Sequence, residues 1–108
     1  MDFVEAARLS ELADGAMQQV TVRGDLVGLY RCGADVFALS DICSHEYAHL
    51  TDGDFDCEDL EVECPLHGSR FNVKTGEVRI LPATKPVNSY QVKIEGDLVL
   101  VGPENPRS

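Results

Sequence analysis

The stretch Cys64-Pro65-Leu66-His67-Gly68-Ser69-Arg70-Phe71-Asn72-Val73-Lys74-Thr75-Gly76-Glu77-Val78 sets a thiol and an imidazole in one short loop, then a β-prone triplet and a glycine turn. It reads as a ligand loop running into a strand that soon reverses. Upstream, Cys43-Ser44-His45 repeats the thiol and imidazole pairing. Each pair follows directly on a predicted strand, so the fold must bring two strand-end loops side by side.

Working outward, short β-rich segments alternate with turn residues. Strands are expected over Gln18–Val22, Leu26–Arg31, Val36–Leu39, Leu60–Glu63, Phe71–Val73, Ser89–Ile94 and Leu98–Val101. Gly24-Asp25, Gly33-Ala34-Asp35, Lys74-Thr75-Gly76 and Glu95-Gly96-Asp97 punctuate them with residues that close hairpins. Short strands in so small a space predict an all-β fold, a small antiparallel sandwich or barrel with two ligand-bearing loops at one end. One helical turn is expected over Ser10 to Asp14, capped by Ser10. Asp41 to Asp59 reads as a long functional loop. The chain of 108 residues is expected to be one domain, 1–108, with ligand-bearing loops over about 41–82 and a frayed tail at 102–108.

Nine basic against 19 acidic side chains give a formal charge of -10, which argues against nucleic acid and anionic membranes and for a basic protein partner. The opening MDFVEAARLSELADG carries acidic residues where a signal peptide needs basic ones, and no apolar run is long enough to span a bilayer. A cytoplasmic location is expected. There, Cys57 in the acidic loop is expected to be a free thiol, and Cys32 a small half-buried residue.

Cys43, His45, Cys64 and His67 make a Cys2His2 donor set. Such a set can bind zinc, giving a zinc-stabilised interaction module. Zinc fingers, however, usually group Cys with Cys and His with His. Here each loop supplies one of each. A binuclear iron cluster accounts for that, one iron taking both sulfurs and the other both nitrogens. Two ferric ions, two sulfides, two thiolates and two neutral imidazoles sum to zero charge, so an electron enters more easily than in an all-cysteine cluster.

The two motifs, Cys-x-His and Cys-x-x-His, resemble the signature of the Rieske family. The resemblance runs from roughly Phe3 to Val101 and includes the strand and glycine turn after Cys64. It implies one [2Fe–2S] cluster held by Cys43, His45, Cys64 and His67. The spacer between His45 and Cys64 is a residue or two longer than the family's, with the excess near Phe55–Leu60. Leu81-Pro82-Ala83 is similar to the proline loop that covers the cluster, which implies that Pro82 shields it.

High-potential members of the family carry an extra cysteine in each loop; Ala48 and Leu66 stand there instead. They also carry a Ser and a Tyr that donate hydrogen bonds to cluster sulfurs. Ser69 is kept, while Phe71 stands at the Tyr position. The chain therefore resembles soluble Rieske ferredoxins of bacterial ring-hydroxylating oxygenase systems. That implies a non-catalytic one-electron carrier between a flavoprotein ferredoxin reductase and a terminal oxygenase. A ferredoxin or small subunit of another redox system, of nitrite reductase or steroid hydroxylase type, is the alternative. The chain is too short to be the oxygenase itself, whose mononuclear iron needs a second domain.

His49 competes with His45 as a ligand, but the shorter spacing favours His45 and leaves His49 as a surface or loop-packing residue. The run Asp52, Asp54, Asp56, Glu58, Asp59, Glu61 and Glu63 has no basic residue within it. Such runs are usually solvated faces, with partner docking the functional alternative.

Overall fold

The computed structural model describes residues 3–44, 47–66, 68–81 and 85–106. His45, His67 and Pro82 lie outside the described residues.

Ten strands form: β1 Val4–Arg8, β2 Met17–Val22, β3 Asp25–Cys32, β4 Asp35–Ser40, β5 Asp54–Asp56, β6 Glu61–Glu63, β7 Arg70–Asn72, β8 Val78–Ile80, β9 Ser89–Glu95 and β10 Leu98–Glu104. The larger sheet is antiparallel in the order β1-β10-β9-β4-β3-β2, with β1 and β2 approaching each other so that it nearly closes. The smaller sheet runs β5-β6-β7-β8 and carries the second ligand loop.

The β3–β4 hairpin joins the two halves because both its faces are buried. Along a strand successive side chains point to opposite faces. Val27, Leu29, Val36 and Ala38 face a core inside the larger sheet, with Tyr90, Val99 and Val101. Tyr30 and Leu39 face a second core, shared with Cys43, Leu50, Val62, Cys64, Phe71, Val73 and Val87. This second core supports the ligand loops.

The predicted strands recur within a residue at their ends, except that β10 runs three residues past Val101, and three strands are additional. Of these, β1 has no clean alternation and exists by pairing with β10, Val4 opposite Val101 and Arg8 opposite Leu98. The expected turn at Ser10 to Asp14 is a shorter 3-10 turn over Leu9–Glu11, and Ser10 does not cap it. Ser10 instead donates its amide and hydroxyl to the Asp97 carboxylate at 2.8 Å each, tying the turn to the β9–β10 hairpin. The fray expected from residue 102 is corrected over the described residues, since β10 continues to Glu104 and the Asn105 amide donates to the Ser89 carbonyl at 2.8 Å.

The segment from Asp41 to Asp59 also holds more order than expected, a 3-10 turn at Leu50–Asp52 and then β5. Residues 57–60 form the β5–β6 turn. There the Asp56 carboxylate accepts the Glu58 amide at 2.9 Å, and Leu60 takes a positive φ of 55°.

Candidate metal centre

Both ligand loops are closed at the base by backbone hydrogen bonds. In the first, the Leu50 amide donates to the Asp41 carbonyl and the Cys43 amide to the Ala48 carbonyl, each at 2.9 Å, with a β-bridge between Ile42 and His49. In the second, the Cys64 amide donates to the Ser69 carbonyl at 2.7 Å and the Gly68 amide to the Cys64 carbonyl at 3.1 Å. Gly68 takes φ 76°, a backbone conformation that costs a glycine little. Each cysteine thus sits at the neck of a tight loop, and the histidine of each motif lies at its tip by sequence.

Cys43 and Cys64 are thiols, 5% and 1% exposed, in one apolar core. Ser69 and Phe71 are fully buried, Phe71 in that same core. Tyr47, Ala48 and His49 of the first loop and Pro65 and Leu66 of the second line a common cavity of about 250 Å³ with Asp52, so the loops are neighbours. A third segment joins them, as the Ser44 hydroxyl donates to the Lys85 carbonyl just beyond the Pro82 stretch.

The donor set fits an iron–sulfur cluster. Two buried thiols at adjacent loop necks are soft donors that would suit one iron, with apolar walls excluding water. Among the described residues no three metal-ligating side chains converge, the histidines of both motifs lying outside them.

An acidic residue in the first loop was not singled out by its sequence. Asp41 is fully buried and accepts from the Gln19 side-chain amide at 2.7 Å, the Thr51 backbone amide at 2.8 Å and the Thr51 hydroxyl at 2.7 Å. Its own amide donates to the Leu26 carbonyl at 3.0 Å. It therefore fastens the loop neck two residues before Cys43 to β2, β3 and the 3-10 turn. The only sequence signal is an acidic residue at the end of a predicted strand.

His49 packs within the loop as expected: its ring meets Tyr47 at 5.7 Å and Nδ1 lies 3.8 Å from the Asp52 carboxylate. Its Nε2 is buried with no hydrogen-bond partner among the described residues. The acidic run is partly neutralised from the next strands. Arg70 pairs with Glu61 at 3.3 Å and Glu63 at 2.8 Å, and Arg79 with Glu61 at 3.2 Å. Hydrogen bonding to Glu61 and the Glu63 charge raise the Arg70 pKa further.

The expectation of a free Cys57 is corrected. Cys57 and Cys32 form a disulfide, with Cα atoms 5.6 Å apart. Compartment arguments supplied that expectation, but stacking of the small sheet on β3 puts the two sulfurs together.

Residues 2–91 match the Rieske [2Fe–2S] domain family. The chain is 37% identical over 99 residues to the ferredoxin component of the naphthalene 1,2-dioxygenase system of Pseudomonas aeruginosa, covering 92% of this chain and 93% of that one. Its structure is similar to the ferredoxin of carbazole 1,9a-dioxygenase from Nocardioides aromaticivorans IC177, with a TM-score of 0.93 and 43% identity over 95% of this chain and 99% of the other. It is likewise similar, with a TM-score of 0.90 and 30% identity over 99% and 98% of the two chains, to one in a complex of reduced oxygenase and oxidized ferredoxin in carbazole 1,9a-dioxygenase. No helix among the described residues is long and apolar enough to cross a membrane. The chain belongs to the Rieske [2Fe–2S] domain family, as an electron-carrying ferredoxin with one Rieske-type cluster, of the kind found in aromatic dioxygenase systems.

Proposed function

We propose that this ferredoxin takes single electrons from a flavoprotein ferredoxin reductase in the cytoplasm and passes them to a terminal ring-hydroxylating oxygenase, docking to both through its loop tips. Cys43 and Cys64 are the sulfur ligands of one iron, and His45 and His67 the nitrogen ligands of the other. Bound there, the cluster supplies one-electron storage.

The observation that carries this reading is the apolar rim beside two buried thiols. Tyr47, Leu66 and Leu81 are 75%, 57% and 69% exposed, one from each of the three segments around the site. A solvated surface has little use for exposed Tyr47 and Leu66 lining one cavity, whereas a docking surface that excludes water does.

The chain's own residues do the rest. Leu50, Val62 and Phe71 wall the thiols from water on the inner side. The loop necks fix the Cys43 and Cys64 backbones, so little rearrangement accompanies a change of charge. The buried Ser69 hydroxyl follows His67-Gly68 and serves as a donor to a cluster sulfur. Pro82 covers the cluster, while Phe71 offers no hydroxyl and leaves the potential toward the negative end of the ~-150 to +300 mV Rieske range.

The test is anaerobic reconstitution of single variants. Cys43→Ser, Cys64→Ser, His45→Ala and His67→Ala should each lose the red-brown colour and the reduced-state electron paramagnetic signal, while His49→Ala keeps both. Retention of a native signal by any of the four overturns that ligand assignment.

A further inference from the structure

Cys32 and Cys57 form a bond that electron carriage by the iron site does not use. Tyr30 and Cys32 lie two apart on β3 and so share a face, and Phe55 and Cys57 are likewise two apart at β5. The Tyr30 and Phe55 rings meet edge to face at 5.3 Å, and the Cys32–Cys57 bond lies beside them. Together they clamp the β5–β6 hairpin onto the larger sheet. That hairpin leads through the core residue Val62 to Cys64.

Both cysteines are only half-buried, so a reagent can reach the bond. Cys57 lines a cavity of about 430 Å³ with Asp54, Asp56, Glu58, Glu61 and Glu63, Arg70 being the one basic residue there. An anionic thiolate is repelled from such a mouth, and a thiol carried by a cationic molecule or a basic surface is drawn to it.

We propose that Cys32–Cys57 is a second, two-electron redox site of this ferredoxin, exchanging with dithiols delivered by a basic surface, and that its state sets how firmly the iron site is held. An incoming thiolate attacks the Cys57 sulfur, forming a mixed disulfide as the Cys32–Cys57 bond breaks, and Cys32 leaves as a thiolate that takes a proton. The second thiol of the reductant attacks its partner sulfur in the mixed disulfide, and Cys57 leaves and is protonated. The dithiol ends as a disulfide, and two electrons and two protons end on Cys32 and Cys57. The β5–β6 hairpin then keeps its packing through Phe55 and Val62 but loses its covalent tie to β3, and the Cys64 neck loosens.

The proposal rests on the iron-site reading for its consequence but not for its chemistry. The reconstituted holoprotein is equilibrated without oxygen in mixtures of oxidised and reduced dithiothreitol, alkylated and digested. The Cys32 and Cys57 peptides should be linked in oxidising mixtures and separately alkylated in reducing ones, with a reversible two-electron midpoint. Loss of the visible cluster absorbance to a chelator should be at least about fivefold faster in the reduced form and in Cys32→Ser/Cys57→Ser, while dithiothreitol leaves that double variant unchanged. Cysteamine should open the bond faster than 3-mercaptopropionate, each scaled to its rate on a neutral reference disulfide, and added salt should shrink the ratio.

Absence of the linked peptide in every mixture overturns the site, and equal cluster loss in the two forms of the native protein overturns its consequence. A scaled ratio of one removes the role of the acidic mouth. If the double variant does not fold, the comparison of oxidised and reduced native protein decides the question. A colourless protein that still shows the two-electron midpoint would instead sink the iron-site reading.

Discussion

The Asp41 carboxylate holds Thr51 by two hydrogen bonds, Oδ1 accepting the backbone amide at 2.8 Å and Oδ2 the hydroxyl at 2.7 Å. This buried pair closes the neck of the loop that carries Cys43. Asp41→Ala removes the acceptor of the half-buried Thr51 amide and hydroxyl, while the exposed Gln19 amide turns to water, and should lower unfolding free energy by about 2 kcal/mol and reduce cluster yield. Asp41→Asn keeps the shape and an acceptor for the Thr51 amide, so it should cost about half as much. Urea denaturation of the three proteins, with iron content measured in parallel, checks the order.

Tyr30 is fully buried and its hydroxyl has no hydrogen-bond partner among the described residues. Burial, and then the Asp41 charge, raise its pKa well above the usual tyrosine value. The unfolded chain releases this proton near pH 10 and the folded one does not. Stability is therefore intact below about pH 10 and falls above it, by about 1.4 kcal/mol per pH unit for this group. Tyr90, raised by burial and by Glu104, adds in the same direction. Tyr30→Phe should leave neutral-pH stability unchanged or slightly higher, and flatten the alkaline decline by one proton. Guanidinium unfolding from pH 7 to 12 measures both; an unchanged slope would show that the hydroxyl ionises in place.

Gly53 carries an ordinary φ of -94°, so its side-chain hydrogen is needed for space rather than for backbone freedom. A Cβ there would lie 1.8 Å from the Glu63 carbonyl oxygen, one residue before Cys64. Gly53→Ala must push the first-loop turn away from β6. The expected cost is roughly 1–3 kcal/mol, with weakened cluster retention. Gly15→Ala, where no atom lies within 4 Å of the new Cβ but φ is 82°, is the comparison for backbone strain alone. Thermal melting of both, with bleaching by a chelator, separates the two causes.

Docking through the loop tips makes Leu66 and Tyr47 rate-determining for transfer to the oxygenase and silent in the isolated carrier. Leu66→Glu places a charge in the apolar rim and should slow oxygenase reduction by about tenfold, a cost near 1.4 kcal/mol, with visible spectrum and potential unchanged. Neutralising Asp54 and Asp56, on an edge strand lining a different cavity, should instead reduce the salt dependence of encounter with a basic partner. Stopped-flow traces against ionic strength distinguish the two surfaces.

The candidate site was proposed from sequence where its chemistry is local. Cys43-Ser44-His45 and Cys64-Pro65-Leu66-His67 each place their donors within one tight loop, and spacing alone reveals that. The hairpin turns were legible for the same reason: Gly24, Gly33, Gly76 and Gly96 all take positive φ, which glycine reaches without a Cβ clash. Strands such as β3 and β4 announced themselves by β-branched and aromatic residues.

Other features depend on what a segment meets across space. Val4–Arg8 becomes a strand through its pairing with β10. Asp41 is a loop fastener because β2 and the turn at Leu50–Asp52 bring Gln19 and Thr51 to it. Cys57 meets Cys32, 25 residues away, because β3 buries both faces and lends one of them to the small sheet. The sequence by itself determined the turns and the all-β class and singled out the candidate donors, each set by neighbours along the chain. Only the stacking of the two sheets decided which polar and sulfur groups are paired, because those partners come from segments that local order does not bring together.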